Sequence, residues 1–234
     1  MKKLVWFVTV LPLIITGFVL RFMPDTVPTH YDFSGNVDGR GSKYVYLLLP
    51  VVAVGQTLLF GAISRSMKNK TAEDEKKTAE AVSNAKVFDI IAICTSVMFG
   101  VLQCYLLYKA CVAGKAGAEH VDEGGISGTI TYLLIGIMFI VIGNFLPKTK
   151  LNGAVGLRTS YSMYNDNTWR KSNGYAGRVL MIAGVLTVVT ALFANMTVAT
   201  IMVFVYITAA TVISCVYAKK VYNEEISRSD GKTQ

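Results

Sequence analysis

The chain has 234 residues, 53% of them hydrophobic and only 16% charged, against about 25% charged in an ordinary soluble domain. That balance, with several apolar runs close to the roughly 20 residues that cross a bilayer core, excludes a soluble globular fold and predicts an all-α polytopic membrane protein. The net charge of +8 does not point to direct nucleic-acid binding, because the basic residues lie in short segments beside apolar runs, where insertion topology puts them.

In chain order, the first predicted span is 4–22, behind Lys2 and Lys3. No small-x-small cleavage site precedes Met23-Pro24, so the span reads as a retained helix, with Pro12 as a kink candidate. Residues 23–43 form a polar loop whose prolines and glycines exclude a regular helix. The second span, 44–63, contains Pro50, a second kink candidate. A linker at 64–86 mixes lysines with Glu73, Asp74, Glu75 and Glu80, which suits exposed helix running on into the third span, 87–109. A Gly-rich acidic segment, 114–128, precedes the fourth span, 129–146. An ordered polar segment, 144–178, leads into a tight hairpin of spans 179–195 and 198–218. A polar tail, 219–234, follows. The expected division is a two-helix unit (1–63) with an outer loop, a charged linker (64–86), a four-helix region (87–218) and a tail.

With the N-terminus inside, 18 of the Lys and Arg residues fall on the inner side and 5 on the outer. This positive-inside split predicts six transmembrane helices with both termini cytoplasmic. The loop 23–43 is then extracellular and the segment 144–178 cytoplasmic.

Candidate chemistry is sparse. Cys94, Cys104, Cys111 and Cys215 lie in or at the end of apolar spans without CxxC or Cys/His spacing, and read as packing residues. The outer loop carries Asp32-x-Ser34-x-Asn36-x-Asp38-Gly39, oxygens at alternate positions as in a calcium loop. With Ser34 as the first ligand, the position where such a loop closes with a bidentate Glu is Val45, so no metal is expected and the pattern reads as a pair of turns. His30, between Thr29 and Tyr31, reads as a structural hydrogen bond or a surface contact, and His120 as a solvated loop residue. Asp25, His30, Asp32, Asp38 and Lys43 are the outer-loop candidates for contact with a ligand. Asp89 is the acid that enters a span. It reads as a charge paired with Lys86 at the interface, or as a proton or substrate contact. Gln103, deeper on the same helix, reads as an interhelical donor before a transport residue. No nucleophile–base pair, phosphate loop or paired carboxylates occur, so neither enzymatic activity nor a cofactor is expected.

The segment 144–178 holds Lys148, Lys150, Arg158, Arg170, Lys171 and Arg178 against one acid, Asp166, and is dense in Asn, Gly, Thr and Tyr. A plain tether between helices requires no such order. Trp169, beside Arg170 and Lys171, reads as an anchor at the inner interface on an amphipathic stretch along the headgroups, or as a contact for a cytoplasmic partner.

Asn144…Leu146-Pro147-Lys148…Asn152…Gly156-Leu157-Arg158-Thr159…Asn165…Trp169-Arg170-Lys171…Gly177 resembles the signature of the SdpI-like membrane proteins, named for an immunity protein against the sporulation-delaying-protein toxin of Gram-positive bacteria. The outer loop, Pro24-Asp25-Thr26-Val27-Pro28-Thr29-His30…Gly35…Asp38…Gly41-Ser42-Lys43, is similar to the small domain that often precedes that signature. The resemblance implies a non-enzymatic protein of the bacterial cytoplasmic membrane whose partners are a secreted peptide toxin, membrane lipids and a small cytoplasmic DNA-binding repressor. It makes Asn144, Pro147, Lys148, Asn152, Gly156, Arg158, Thr159, Trp169 and Arg170 the candidates for an inward-facing motif or docking surface. Two positions depart from the family's pattern. Ser160-Tyr161 stands where Pro-Trp is common, and Ser172-Asn173 where Thr-His is common, so no role of that histidine carries over. Two other functions stay open on the residues. One is a small-molecule or peptide transporter using Asp89, Gln103 and the kink prolines. The other is a scaffold whose basic loops bind anionic lipid, at about 1 kcal/mol per basic residue near the surface.

Overall fold

A computed structural model describes residues 2–31, 37–69, 75–116 and 126–230. Among these residues the regular structure is helical apart from one hairpin, and six helices are long and apolar enough to cross a membrane. They are α1 (Lys2–Val19), α2 (Leu48–Asn69), α3 (Glu75–Ala116), α4 (Ile126–Phe145), α5 (Asp166–Phe193) and α6 (Met196–Asp230). The helices are those of a multi-pass membrane protein, with an inside-out distribution of polarity. On α1, Phe7, Ile14 and Phe18 are 64%, 64% and 62% exposed, while Thr9 and Thr16 on the opposite face are 1% and 0% exposed. Lipid takes the apolar stripe, so the helices meet through small and hydroxyl-bearing residues.

The helices pack as two groups of three. α1, α2 and α3 are mutually in contact, and α5 packs between α4 and α6. Packing thus places α3 with α1 and α2, whereas the expected division set it with the later helices.

The first group is held by polar residues one heptad apart on each helix: Thr9 and Thr16 on α1, Thr57 and Ser64 on α2, and Asp89, Ser96 and Gln103 on α3. Because α2 runs antiparallel to the other two, these residues meet in three layers. In the first, Ser64 Oγ donates to Asp89 Oδ1 at 2.7 Å. In the second, the hydroxyls of Thr9, Thr57 and Ser96 lie 2.9, 3.1 and 3.3 Å from one another, with Gln56 donating to Thr95 alongside. In the third, Gln103 Nε2 donates to Thr16 Oγ1 and to the Tyr46 carbonyl, both at 2.9 Å. Such interhelical bonds contribute roughly 0.6 kcal/mol each, and at most about 2.

The two prolines act differently. Pro12 lies inside α1 and leaves the Val8 carbonyl without its helical donor. That carbonyl faces Gly100 of α3, where the Pro12 ring would lie 3.1 Å from an added Cβ. Pro50, expected as a kink, is instead the third residue of α2, in the first turn, where a missing N–H is no loss. A 3-10 turn, Lys43–Leu47, leads into it.

The outer loop forms a two-stranded antiparallel hairpin, β1 (Thr26–Tyr31) and β2 (Val37–Ser42). An isolated hairpin is marginal in water. This one is docked. Val27 is fully buried against Leu20, Met23, Leu107 and Ala110, and Tyr46 Oη donates to the Pro28 carbonyl at 3.1 Å. The calcium-like pattern from Asp32 to Asn36 lies outside the described residues.

The second group is held by backbone proximity. Gly136 and Gly143 of α4, one heptad apart, face Gly184 and Gly177 of α5. A Cβ on Gly143 would lie 2.6 Å from the Gly177 carbonyl oxygen, and one on Gly184 2.6 Å from the Gly136 carbonyl oxygen. Only hydrogen fits at these crossings, as in small-xxx-small packing. α5 and α6 are joined by the stacked rings of Tyr175 and Tyr217, 4.0 Å apart at 11°.

Two segments expected as irregular are largely helical. The segment 144–178 is loop only over 149–165, since a 3-10 turn, Leu146–Lys148, ends α4 and α5 begins at Asp166. Asn165 starts that helix with a capping box, its side chain accepting from Thr168 N while Thr168 Oγ1 accepts from Asn165 N, which offsets two orphaned donors. The tail from 219 continues α6 to Asp230.

Candidate functional site

The segment between α4 and α5 is ordered by side chains reaching the backbone, a pattern typical of specific loops. Thr149 Oγ1 donates to the Leu146 carbonyl at 2.7 Å, closing the 3-10 turn. Asn152 Oδ1 accepts from Ala154 N and Val155 N at 2.7 and 2.8 Å, and its amide nitrogen donates to the carbonyls of Lys150 and Val155 at 2.7 and 3.0 Å. Ser162 Oγ accepts from Thr159 N at 2.9 Å and donates to the Leu157 carbonyl at 2.6 Å.

Trp169 is the centre. It is 1% exposed, and its Nε1 donates to the Thr149 carbonyl at 3.0 Å. The expected role as a headgroup anchor is therefore corrected: the indole faces inward from the first turn of α5, and the loop wraps it. The neighbouring charges misled, because Arg170 is exposed while the indole beside it is buried. Asn173, one turn further, is fully buried. Its Oδ1 accepts from Leu157 N at 2.6 Å and its Nδ2 donates to the Trp169 carbonyl at 3.1 Å. Gly156 passes between the two side chains with φ +131°, and a Cβ there would lie 2.7 Å from Asn173 Oδ1 and 2.7 Å from the indole. Glycine is required twice, by conformation and by space.

Two partners come from far along the chain. Asn84 of α3, 3% exposed, accepts from Lys150 N at 2.8 Å and donates to the Lys150 carbonyl at 3.3 Å. Glu225 of α6 accepts from Asn165 at 3.4 Å and from Asn167 at 2.5 Å, while Tyr222 packs on Tyr161 and Tyr164 with centroids 5.3 and 5.1 Å away. Neither residue stood out in the sequence. An Asn in a charged helix and a Glu in a polar tail carry no local mark of a distant partner.

The candidate residues therefore divide. Asn152, Gly156, Thr159 and Trp169 build the loop, and Pro147 packs its ring against Gly177. Asn144, Lys148, Lys150, Arg158, Arg170 and Arg178 are exposed. Lys148 Nζ rests 4.3 Å from the Phe145 ring centroid, and Arg170 donates to Asn167 at 3.4 Å. Beside them a cleft of 370 Å³ is lined by Glu80, Lys150, Asp166 and Arg170 around Trp169.

At the other end of the bundle the hairpin presents a second set. Lys43 Nζ pairs with Asp25 at 2.9 Å and donates to the Met23 carbonyl at 3.3 Å. His30 Nδ1 lies 2.5 Å from Asp38 Oδ1, both exposed. Asp32 is outside the described residues. Asp89 and Gln103 belong to the interhelical layers. Among the described residues no group of three His, Cys, Asp or Glu is placed to hold a metal.

Comparison with known proteins falls on these same two regions. Residues 148–218, from the ordered loop through most of α6, match the SdpI/YfhL protein family. That part of the chain resembles the family. Residues 7–54 match a domain of unknown function, DUF1648, which takes in most of α1, the hairpin and the start of α2. The immunity protein SdpI of Bacillus subtilis (strain 168) is 29% identical over 89 residues, 37% of this chain and 43% of that protein. The match thus spans less than half of the relative's length. No solved structure matches the chain.

Proposed function

We propose that the protein confers immunity to a secreted antimicrobial peptide, without catalysis. The observation that carries the reading is the match to the SdpI family over residues 148–218, which take in the irregular segment that the helices hold. The charge split supports an orientation with both termini and that segment in the cytoplasm. The hairpin region, with Asp25, His30 and Asp38 exposed and Lys43 largely buried behind Asp25, then faces the side from which a toxin arrives. Expression in a toxin-sensitive strain tests this. Survival against at least one membrane-active peptide is expected, and unchanged killing across a panel of them overturns the reading.

A finer role, capture of a small cytoplasmic DNA-binding repressor, has its support in the exposed basic residues around the 370 Å³ cleft. Arg158 is exposed while its neighbours Gly156 and Thr159 build the loop. Arg158→Ala is expected to leave the protein folded in the membrane and to weaken partner capture. Capture at the parental level assigns Arg158 no docking role. The transporter alternative has less support, since most polar side chains of the first three helices bond to one another across the bundle. Substrate flux in proteoliposomes, abolished by Asp89→Asn, would reverse that preference.

A further inference from the structure

A cleft of 320 Å³ opens among α1, α2 and α3, away from the ordered loop and the hairpin. Its volume lies in the range of small-molecule sites. Its walls are apolar, with Trp6, Leu58 and Phe60 among the lining residues, and the Phe60 ring is braced edge-on by Phe88 at 5.9 Å. One end carries two opposite charges, Arg65 and Asp89. The carboxylate is held in place by Ser64 at 2.7 Å, and the guanidinium is exposed. Thr57 marks the other end, eight residues up α2 from Arg65, about 12 Å along the axis. The floor is open, since a side chain at Gly61 would meet no atom within 4 Å.

A purely basic site would suit an anionic headgroup, as basic pockets between membrane helices do. A purely apolar one would suit any acyl chain. The pair of opposite charges at one end of an apolar slot fits a zwitterion joined to a hydrocarbon chain. We infer that the cleft binds one phospholipid with an amine-bearing headgroup, of the phosphatidylethanolamine class. Its ammonium sits on Asp89, its phosphate on Arg65, and one chain lies along Trp6, Leu58 and Phe60 towards Thr57. An ammonium adds three donors to a carboxylate that already accepts from Ser64, and the planar guanidinium grips phosphate with two parallel bonds. The charges lie beside the start of α1 and the end of α2, which the charge split puts at the inner leaflet. This inference stands apart from the immunity reading.

The test is lipid retention by the full chain. Protein in nanodiscs of equal phosphatidylethanolamine and phosphatidylglycerol is released into the gas phase, and the lipid still bound is identified by native mass spectrometry. One retained phosphatidylethanolamine per chain is expected, several-fold over phosphatidylglycerol. Asp89→Asn keeps an acceptor for Ser64 and so spares the helix contact, yet should abolish that preference. Gly61→Phe keeps both charges and fills the slot, and should remove the bound lipid. Equal retention of the two lipids by the parent overturns the inference. So does a preference that survives Asp89→Asn, or a bound lipid undisturbed by Gly61→Phe.

Discussion

Replacing Gly156 by alanine should open the ordered loop while leaving the helices in place. The residue sits at φ +131°, where a side chain is strained, at about 1–3 kcal/mol. Its new methyl would also lie 2.7 Å from Asn173 Oδ1 and 2.7 and 2.8 Å from two indole carbons of Trp169, where ordinary contact begins near 3.4 Å. Both neighbours are buried and both are fixed by hydrogen bonds, so neither can yield by the required 0.6–0.7 Å without losing one. Overpacking of that kind adds about 1–3 kcal/mol. The two effects together, about 2–6 kcal/mol, match or exceed the few hydrogen bonds of about 1 kcal/mol each that fix the immediate surroundings of Gly156. The chain has two tryptophans. In a Trp6→Phe background the fluorescence is therefore that of Trp169 alone. The parent should emit in the blue and resist aqueous quenchers, whereas Gly156→Ala should shift the emission red and admit the quencher. Gly153→Ala, with no atom within 4 Å of the added carbon, is the matched control. If Gly156→Ala keeps the parental emission and quenching, the proposed packing of loop on indole is wrong.

Gly143→Val should lower the melting temperature in detergent. Its side chain would meet the Gly177 carbonyl at 2.6 Å and Met181 at 2.7 Å, costing about 1–3 kcal/mol, while Gly55→Val, facing open space, should not. Equal melting of the two would refute close approach of α4 and α5. Asn84→Ala strands the Lys150 amide, so hydrogen exchange should quicken at Lys150, with a loss of about 1–3 kcal/mol, and leave 196–216 unchanged. Glu225→Ala removes the acceptor shared by Asn165 and Asn167. Limited proteolysis should then cut within 219–229 sooner than in the parent, and an unaltered cleavage pattern would show that this part of α6 is not held by the loop.

Hydropathy made the six helices legible, because lipid requires a length and a composition that no other environment does. Their packing was less legible. Thr9, Thr57 and Ser96 are ordinary residues for apolar spans, and only the antiparallel run of α2 brings them to one level. The glycines of α4 and α5 stood in plain view, yet which helix each faced was a tertiary matter. At the site, Gly156, Asn152 and Trp169 were marked by the family motif, but their role was not. Trp169 beside Arg170 and Lys171 has the pattern of an interfacial anchor, and burial by a loop leaves the same pattern. Asn84 and Glu225 were invisible because their partners lie 66 and 58–60 residues away. The hairpin escaped notice for a different reason: its strands are six residues each, with Pro28 and two glycines diluting the alternation that announces a strand.

α3 is one helix of 42 residues. It touches the loop through Asn84 and the hairpin through Leu107 and Ala110. Those contacts are 23 positions apart, about 35 Å along a single rod. A long helix curves only gently where nothing interrupts it, and no proline or positive-φ residue interrupts this one. A tilt of about 5° pivoting at the hairpin would carry Asn84 sideways by about 3 Å over that length, as far as a hydrogen bond reaches. The Asn84–Lys150 bond and the hairpin contact are thus carried by one continuous helix, so a tilt of α3 about the hairpin is felt at this bond.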